Sequence, residues 1–350
     1  MQVKTMKAAI LVEQKRSLVI DEVQLPDQLE YGQVLVKINY SGICGSQIGE
    51  ISGVKGPDAY LPHLLGHEAS GVVKEIGDGV TTVQLDDPVV LHWRKGQGVE
   101  AKLPRYQWQG RRLNAGSVTT FNEYAIVSEN RLTAFPKNFP MKLAPLFGCA
   151  ITTGLGVITN NANLKMGESL VVMGAGGVGL NVIQGASLHN AYPIIAIDLF
   201  DNRLDLAKQL GATHIINSSK QNDWQRQVRN LLDNQGVDVF VDCTGNSGLI
   251  SEGWKLTQDK GRLILVGVPA FEDKTSLSTL PLHFGKLLSG SHGGNGNPSD
   301  DIPRYMQLTQ MGKLKLSDLI TETYSLMEIN KAIENMRNGS LSGRCLIEFV

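Results

Sequence analysis

The chain has no hydrophobic run approaching the ~20 apolar residues needed to span a bilayer. Near the N-terminus, Lys4 and Lys7 are followed only by the short apolar stretch Ala8 to Val12. A secretory signal needs a longer apolar core and a small-residue cleavage site. Cysteine is also scarce: Cys44, Cys149, Cys243 and Cys345 are scattered and form no disulfide framework. That excludes a disulfide scaffold and points to a reducing compartment, the cytoplasm. Charge of one sign is lacking as well. A formal net charge of -1 gives no electrostatic reason to expect a nucleic acid or an anionic membrane as partner. Aromatics make up only 6% of the residues, and no internal repeat or low-complexity tract stands out.

Glycine, by contrast, is plentiful, with 38 residues among 350. Single cores stop growing at roughly 250–300 residues, so two domains are expected. Over the first 150 residues the pattern is one of short strands and turns. Val34–Ile38, Gly71–Ile76 and Pro88–His92 are β-branched stretches, the second closed by Gly77-Asp78-Gly79. Near residue 150 the pattern changes. Leu170–Met173 is continuously apolar, as a strand buried on both faces should be. A glycine-rich turn and a helix to about Leu188 follow. Next come strand Ile194–Ile197, helix Asn202–Leu210, strand His214–Ile216, helix Trp224–Asp233, and strands Val237–Val241 and Arg262–Val266. Such alternation predicts a doubly wound parallel sheet. Residues Gly293 to Pro298 read as a loop and Cys345–Val350 as a final strand.

Gly174-Ala175-Gly176-Gly177-Val178-Gly179 fits G-x-G-x-x-G in its diagnostic place, between a strand and a helix. Gly174 permits the tight turn, Gly176 the approach of a pyrophosphate, and Gly179 close helix–strand packing. The helix N-terminus, from Gly177 onward, offers free N–H groups to the phosphates. Asp198 ends the next strand, 24 residues after Gly174. A carboxylate there accepts from ribose hydroxyls and repels a 2′-phosphate, which favours NAD over NADP. Arg203 adds a charge nearby.

Cys44, His67 and Cys149 make a borderline-soft donor set suited to zinc. Three protein ligands leave a fourth position open, the arrangement of a catalytic site. Taken singly, each would be an ordinary buried cysteine or polar histidine.

The order and separations of Cys44-Gly45-Ser46, Gly66-His67-Glu68, the Cys149 segment and the glycine motif resemble the zinc-containing medium-chain alcohol dehydrogenases. The Gly77-Asp78-Gly79-Val80 turn, Gly261-Arg262 and Asp301-Ile302-Pro303 extend the resemblance over essentially the whole chain. It implies an α/β protein with a GroES-like, mostly-β catalytic domain (1–150 and 293–350) and an NAD-binding Rossmann domain (151–292). It implies zinc bound by Cys44, His67 and Cys149, with Glu68 as an acid able to reach the metal and Ser46 as the hydroxyl that takes the substrate proton. Thr153 and Val178 then border the nicotinamide, Val266, Gly267 and Val268 hold its carboxamide end, and Arg344 binds pyrophosphate. The expected reaction is hydride transfer between a small-molecule alcohol or carbonyl compound and NAD, by a homodimer or homotetramer.

Three departures stand out. No cysteine occurs from His92 to Gly116, where many relatives carry a structural zinc, so one catalytic zinc is expected and no structural one. Gln47 replaces an aspartate that orients the metal-bound histidine. Gly49 replaces a histidine that ends the proton relay. His92, Trp93, Arg94 and Lys95, with Lys55, fall at the expected pocket wall, which suggests a polyol or a sugar derivative as substrate. Two alternatives compete: a zinc-free quinone or enoyl reductase on this scaffold, and a non-catalytic dinucleotide-binding protein. The intact Cys/His/Cys set argues against the first, and Ser46 beside an open metal position argues against the second.

Overall fold

A computed structural model describes residues 3–221 and 223–349. Its centre is a six-stranded parallel sheet in the order His214–Asn217, Ile194–Asp198, Leu170–Met173, Val237–Asp242, Thr257–Leu265 and Leu287–Gly290. In sequence terms this is order 3-2-1-4-5-6, that of a doubly wound dinucleotide fold. The apolar run at its middle strand follows from two-sided burial. Leu170 and Val172 pack with Leu180 and Ile183 on one face. Val171 and Met173 pack with Trp224, Val228 and Trp254 on the other. Successive side chains alternate between faces, so both sets must be apolar.

The N-terminal part is antiparallel. A five-stranded sheet contains Thr5–Leu11 and Val19–Gln24, and a seven-stranded sheet is built on Gln33–Gly42. The second sheet assembles the site. Gln33–Gly42 pairs with Glu68–Ile76 through Ser41 opposite Ala69, and with the C-terminal strand Arg344–Glu348 through Gly42 opposite Leu346. That register brings residues 42–44, 67–68 and 344–345 to one end of the sheet. The chain's last strand thus returns to the seven-stranded sheet of the N-terminal part.

The expected strands and helices are present with shifted ends. Helix Trp224–Leu231 stops before Asp233, because Asp233 and Asn234 adopt left-handed backbone at φ 51° and 63°. Several further elements were not anticipated, two of them in the parallel-sheet unit. Helix Ser247–Leu256 starts where the Asn246 side chain accepts from the Leu249 N–H, a cap worth about 1 kcal/mol. Strand Leu287–Gly290 lies at the sheet edge with all four residues exposed, so it carries no alternating pattern to read. Among the described residues no helix is long and apolar enough to cross a membrane.

Candidate metal centre and cofactor cleft

Cys44 immediately precedes helix Gly45–Ile51, His67 precedes strand Glu68–Ile76, and Cys149 precedes helix Ala150–Gly156. Their ligand atoms lie within 4.8 Å of one another. Both thiols are buried, and His67 Nε2 is a buried nitrogen without a hydrogen-bond partner. The Cys149 thiol donates to Cys44 and holds Cys44 well below the usual cysteine range, with His67 and Arg344 adding to the effect. That same contact, together with burial, raises Cys149. A buried, unpartnered imidazole nitrogen beside two buried sulfurs is a donor set that a soft divalent cation would satisfy. Thr153 and the Trp93 indole both donate to Cys149.

Glu68 is fully buried and pairs with Arg344, which is only 3% exposed. Three glycines leave room for this pair. A Cβ at Gly42 would come within 2.6 Å of Glu68 Oε1, one at Gly148 within 2.9 Å of Glu68 Cβ, and one at Gly177 within 2.4 Å of Arg344 Cδ. Arg344 therefore reaches from the metal side to the glycine-rich turn.

That turn borders a cleft of about 290 Å³, whose lining includes Gly45, Gly176, Gly177, Arg203, Arg337 and Arg344. Gly174 has φ +95°, a conformation that favours glycine. A Cβ on Gly179 would sit 1.9 Å from the Gly174 carbonyl oxygen, so only glycine lets helix Gly177–Leu188 approach the strand. A Cβ on Gly176 would meet nothing within 4 Å, leaving its backbone open to a ligand above the helix N-terminus. Three guanidinium groups surround this space, an apt countercharge for a pyrophosphate.

Asp198 accepts from the N–H groups of Ala175 at 2.7 Å, Leu199 at 2.8 Å and Phe200 at 3.1 Å. It is thus locked at the strand end, with lone pairs left for other donors. Arg203 Nη1 stands 3.8 Å from Asp198 and over the Phe200 ring. Val266, Gly267 and Val268 lie just beyond the carboxyl end of a neighbouring strand. There the N–H groups of Val266 and Gly267 donate to the Asp242 carbonyl at 2.8 and 3.0 Å. Val178 packs partly into the core beneath the turn, and Ser46 is half-buried in the first turn of its helix.

Several expectations change in detail. His92 does not reach an open pocket: its Nδ1–H donates to the Arg94 carbonyl at 2.7 Å and its Nε2 accepts from Thr133 at 2.9 Å. Burial pushes its pKa down to about 4, so it is a neutral interior group. Trp93, one position on and just past the strand, hydrogen-bonds Cys149 instead. Of the basic residues at the expected wall, Lys95 pairs with Glu100 at 3.1 Å and Lys55 with Glu50 at 3.6 Å. Arg94 turns instead to the carbonyl oxygens of His292 and Gly296. The Gln47 side-chain oxygen accepts from the Cys44 N–H at 3.2 Å, which places it on the cysteine rather than on the imidazole. Arg337 and His292 went unnoticed in the sequence. One ends a helix where a solvated arginine is ordinary, and the other sits in a loop with no motif.

A parallel sheet with a glycine-rich phosphate cradle, joined to a Cys/His/Cys cluster, defines a nucleotide-linked oxidoreductase with a metal-binding site. Comparison with known proteins agrees. Residues 177–311 match the family described as zinc-binding dehydrogenase, and residues 30–137 match the alcohol dehydrogenase GroES-like domain. An S-(hydroxymethyl)glutathione dehydrogenase of Synechocystis sp. is 31% identical over 95% of this chain and 97% of its own length. Alcohol dehydrogenase 1 of Pisum sativum is 30% identical over 99% and 98%. The crystal structure of benzyl alcohol dehydrogenase from Acinetobacter calcoaceticus superposes with a TM-score of 0.89 at 29% identity, covering 99% of this chain and all of that one. The chain belongs to the zinc-containing medium-chain alcohol dehydrogenase family, whose members are oxidoreductases with a GroES-like unit and a Rossmann unit.

Proposed function

We propose that Cys44, His67 and Cys149 hold a single zinc ion beside NAD, and that the chain exchanges a hydride between an alcohol and that cofactor. The observation that carries this reading is the convergence of three donors on one point, with His67 Nε2 otherwise unpartnered. When bound, zinc supplies Lewis acidity at the reacting oxygen and NAD takes the hydride. Ser46, half-buried in the first turn of its helix, takes the hydroxyl proton outward. Gly49 contributes no side chain to that route, and a Cβ there would meet only Val54, at 3.9 Å. Glu68 and Arg344 hold the wall between metal and cofactor, and Thr153 and Val178 flank the nicotinamide. The glycines of the 174–179 turn, with Arg203 and Arg344, take the phosphates, and the 266–268 segment takes the carboxamide. The absence of cysteine between His92 and Gly116 supports one zinc per chain. We assign 1–150 and 293–350 to the catalytic domain and 151–292 to the cofactor domain, because the strand at 344–348 pairs with the first domain's sheet.

Asp198 sets the cofactor preference in this reading. Replacing it by alanine removes a charge that would repel a 2′-phosphate. The kcat/KM ratio for NAD over NADP is expected to fall at least about tenfold. An unchanged ratio would count against the assignment.

Relatives are named for alcohols as unlike as benzyl alcohol and a glutathione adduct, so the family leaves the substrate open. The His292 ring, which meets Trp93 edge to face, is the polar group that supports a polyol or sugar derivative. Catalytic efficiency with NAD should be higher on sorbitol or a sugar phosphate than on ethanol or 2-propanol. The reverse order would sink this preference.

A homodimer joined through the parallel sheet is supported by its edge. Leu287 on the last strand is 55% exposed, and Leu280 and Phe284 on the preceding turn are 63% and 64% exposed. An unpaired edge flanked by apolar side chains suits pairing with a second copy. Leu287→Asp is expected to shift the sedimenting species to monomer; a wild-type chain that already sediments as a monomer would refute the pairing.

A further inference from the structure

His292 was not part of any motif, yet its position is closely determined. The loop carrying it uses left-handed backbone at Gly293 (φ +62°) and Gly294 (φ +70°). A Cβ on Gly294 would stand 2.7 Å from the carbonyl oxygens of both Thr152 and Thr153, so the loop lies flat on helix Ala150–Gly156. Asn160 donates to the Gly294 carbonyl at 2.8 Å, and Ser291 Oγ both donates to Asn161 and accepts from the Gly294 N–H. Residues on such a pinned loop are presented with little freedom.

The side chain itself is exposed. Its ring meets Trp93 edge to face with centroids 4.9 Å apart, and Trp93 in turn donates to Cys149. His292 is therefore one indole away from a metal-site sulfur. Arg94 Nη1 lies 2.8 Å from His292 Nδ1. A guanidinium only donates, so Nδ1 accepts and the ring proton sits on Nε2. Among the described residues no protein acceptor is found for that Nε2–H. The result is a rigid, oriented and exposed hydrogen-bond donor, separated from Cys149 by the Trp93 ring, with a cation behind it.

We propose that His292 is a specificity-determining residue that donates from Nε2 to an oxygen on the substrate, remote from the reacting carbon. The substrate class is an alcohol bearing a second oxygen function, a hydroxyl or a carboxylate. This rests on the dehydrogenase reading above and sharpens its substrate preference. A plain hydrocarbon alcohol offers this donor nothing, and must leave it to water or strip it.

The test uses the zinc-loaded full chain with NAD and three alcohols of equal chain length: 1-pentanol, 1,5-pentanediol and 5-hydroxypentanoate. Wild-type protein is expected to favour one or both oxygen-bearing substrates over 1-pentanol, and the favoured arm tells hydroxyl from carboxylate. His292→Phe keeps a ring against Trp93 without the donor. It should cut that preference about three- to tenfold for the hydroxyl arm, or about ten- to a hundredfold for the carboxylate arm, through KM more than kcat. His292→Gln retains an N–H and should restore part of the preference. NADH binding by each variant reports an intact fold. A wild-type enzyme that turns over 1-pentanol at least as efficiently as the other two would overturn the inference while leaving the dehydrogenase reading intact. So would a preference that survives His292→Phe, or a glutamine variant no better than phenylalanine. Failure to turn over any alcohol would overturn both.

Discussion

Cys44→Ser is expected to leave the purified chain with far less than one zinc and to lower kcat/KM on any alcohol by at least about a thousandfold. A Lewis acid at the reacting oxygen contributes several kcal/mol to the transition state, and each 1.4 kcal/mol is roughly a factor of ten. Serine keeps roughly the size of the side chain but replaces a soft sulfur donor with a hard, weakly acidic hydroxyl. Metal analysis and kinetics on the same preparation check the result. Cys345→Ala is the control. Cys345 is buried with its sulfur 3.3 Å from that of Met336 and stands outside the donor cluster, so its replacement should leave the metal in place. A Cys44→Ser protein that retains both zinc and full activity would remove the metal assignment altogether.

The second large effect is on stability. Arg344→Leu leaves the fully buried Glu68 without its cation, and breaking a buried pair from one side costs about 3–5 kcal/mol. Gly42 leaves the carboxylate packed against backbone and Gly148 does the same for the Glu68 Cβ, with little room to turn towards water. Denaturant unfolding at neutral pH should show the loss. The double variant Glu68→Gln with Arg344→Leu should recover part of it, because no unpaired charge then remains inside. The single variant should also raise KM for NAD, since Arg344 lines the cofactor cleft. Wild-type stability in the single variant would show that the pair contributes nothing and that Glu68 finds another partner.

The two predictions differ in how far the sequence alone could have led to them. Cys44 was readable as a candidate ligand because its neighbours Gly45 and Ser46, and the distant Gly66-His67-Glu68, form a recognisable set. The ion pair was not. Glu68 and Arg344 each drew attention for a separate reason, one as an acid near a metal and the other as a phosphate binder. Nothing in either segment says that they touch. The parallel sheet was easier. Leu170–Met173 had to be apolar on both faces, and strand, turn and helix followed at a regular spacing. Its edge strand, Leu287–Gly290, escaped notice for the opposite reason: with both faces open, it is under no demand for a pattern.

Local chemistry is written along the chain. The glycines at 174, 176 and 179, the carboxylate at 198 and the thiols at 44 and 149 have these identities because a turn, a helix end or a donor set tolerates little else. Periodicity carries the strands and helices in the same way, since each residue's face is set by its immediate neighbours. Direction across the fold is not local. Whether His92 or Trp93 looks into the site depends on which face of one strand meets the helix at Cys149. Gln47 ends on the Cys44 backbone because the turn into its helix brings that N–H within reach. Arg94 meets His292, nearly two hundred residues away, only because two glycines fold one loop flat against another. The sequence by itself determined the fold, the nucleotide turn and the candidate metal donors. Only the packing of distant segments decided which side chains surround them, because contacts between residues far apart in the chain follow from the register and the layer arrangement of the whole molecule.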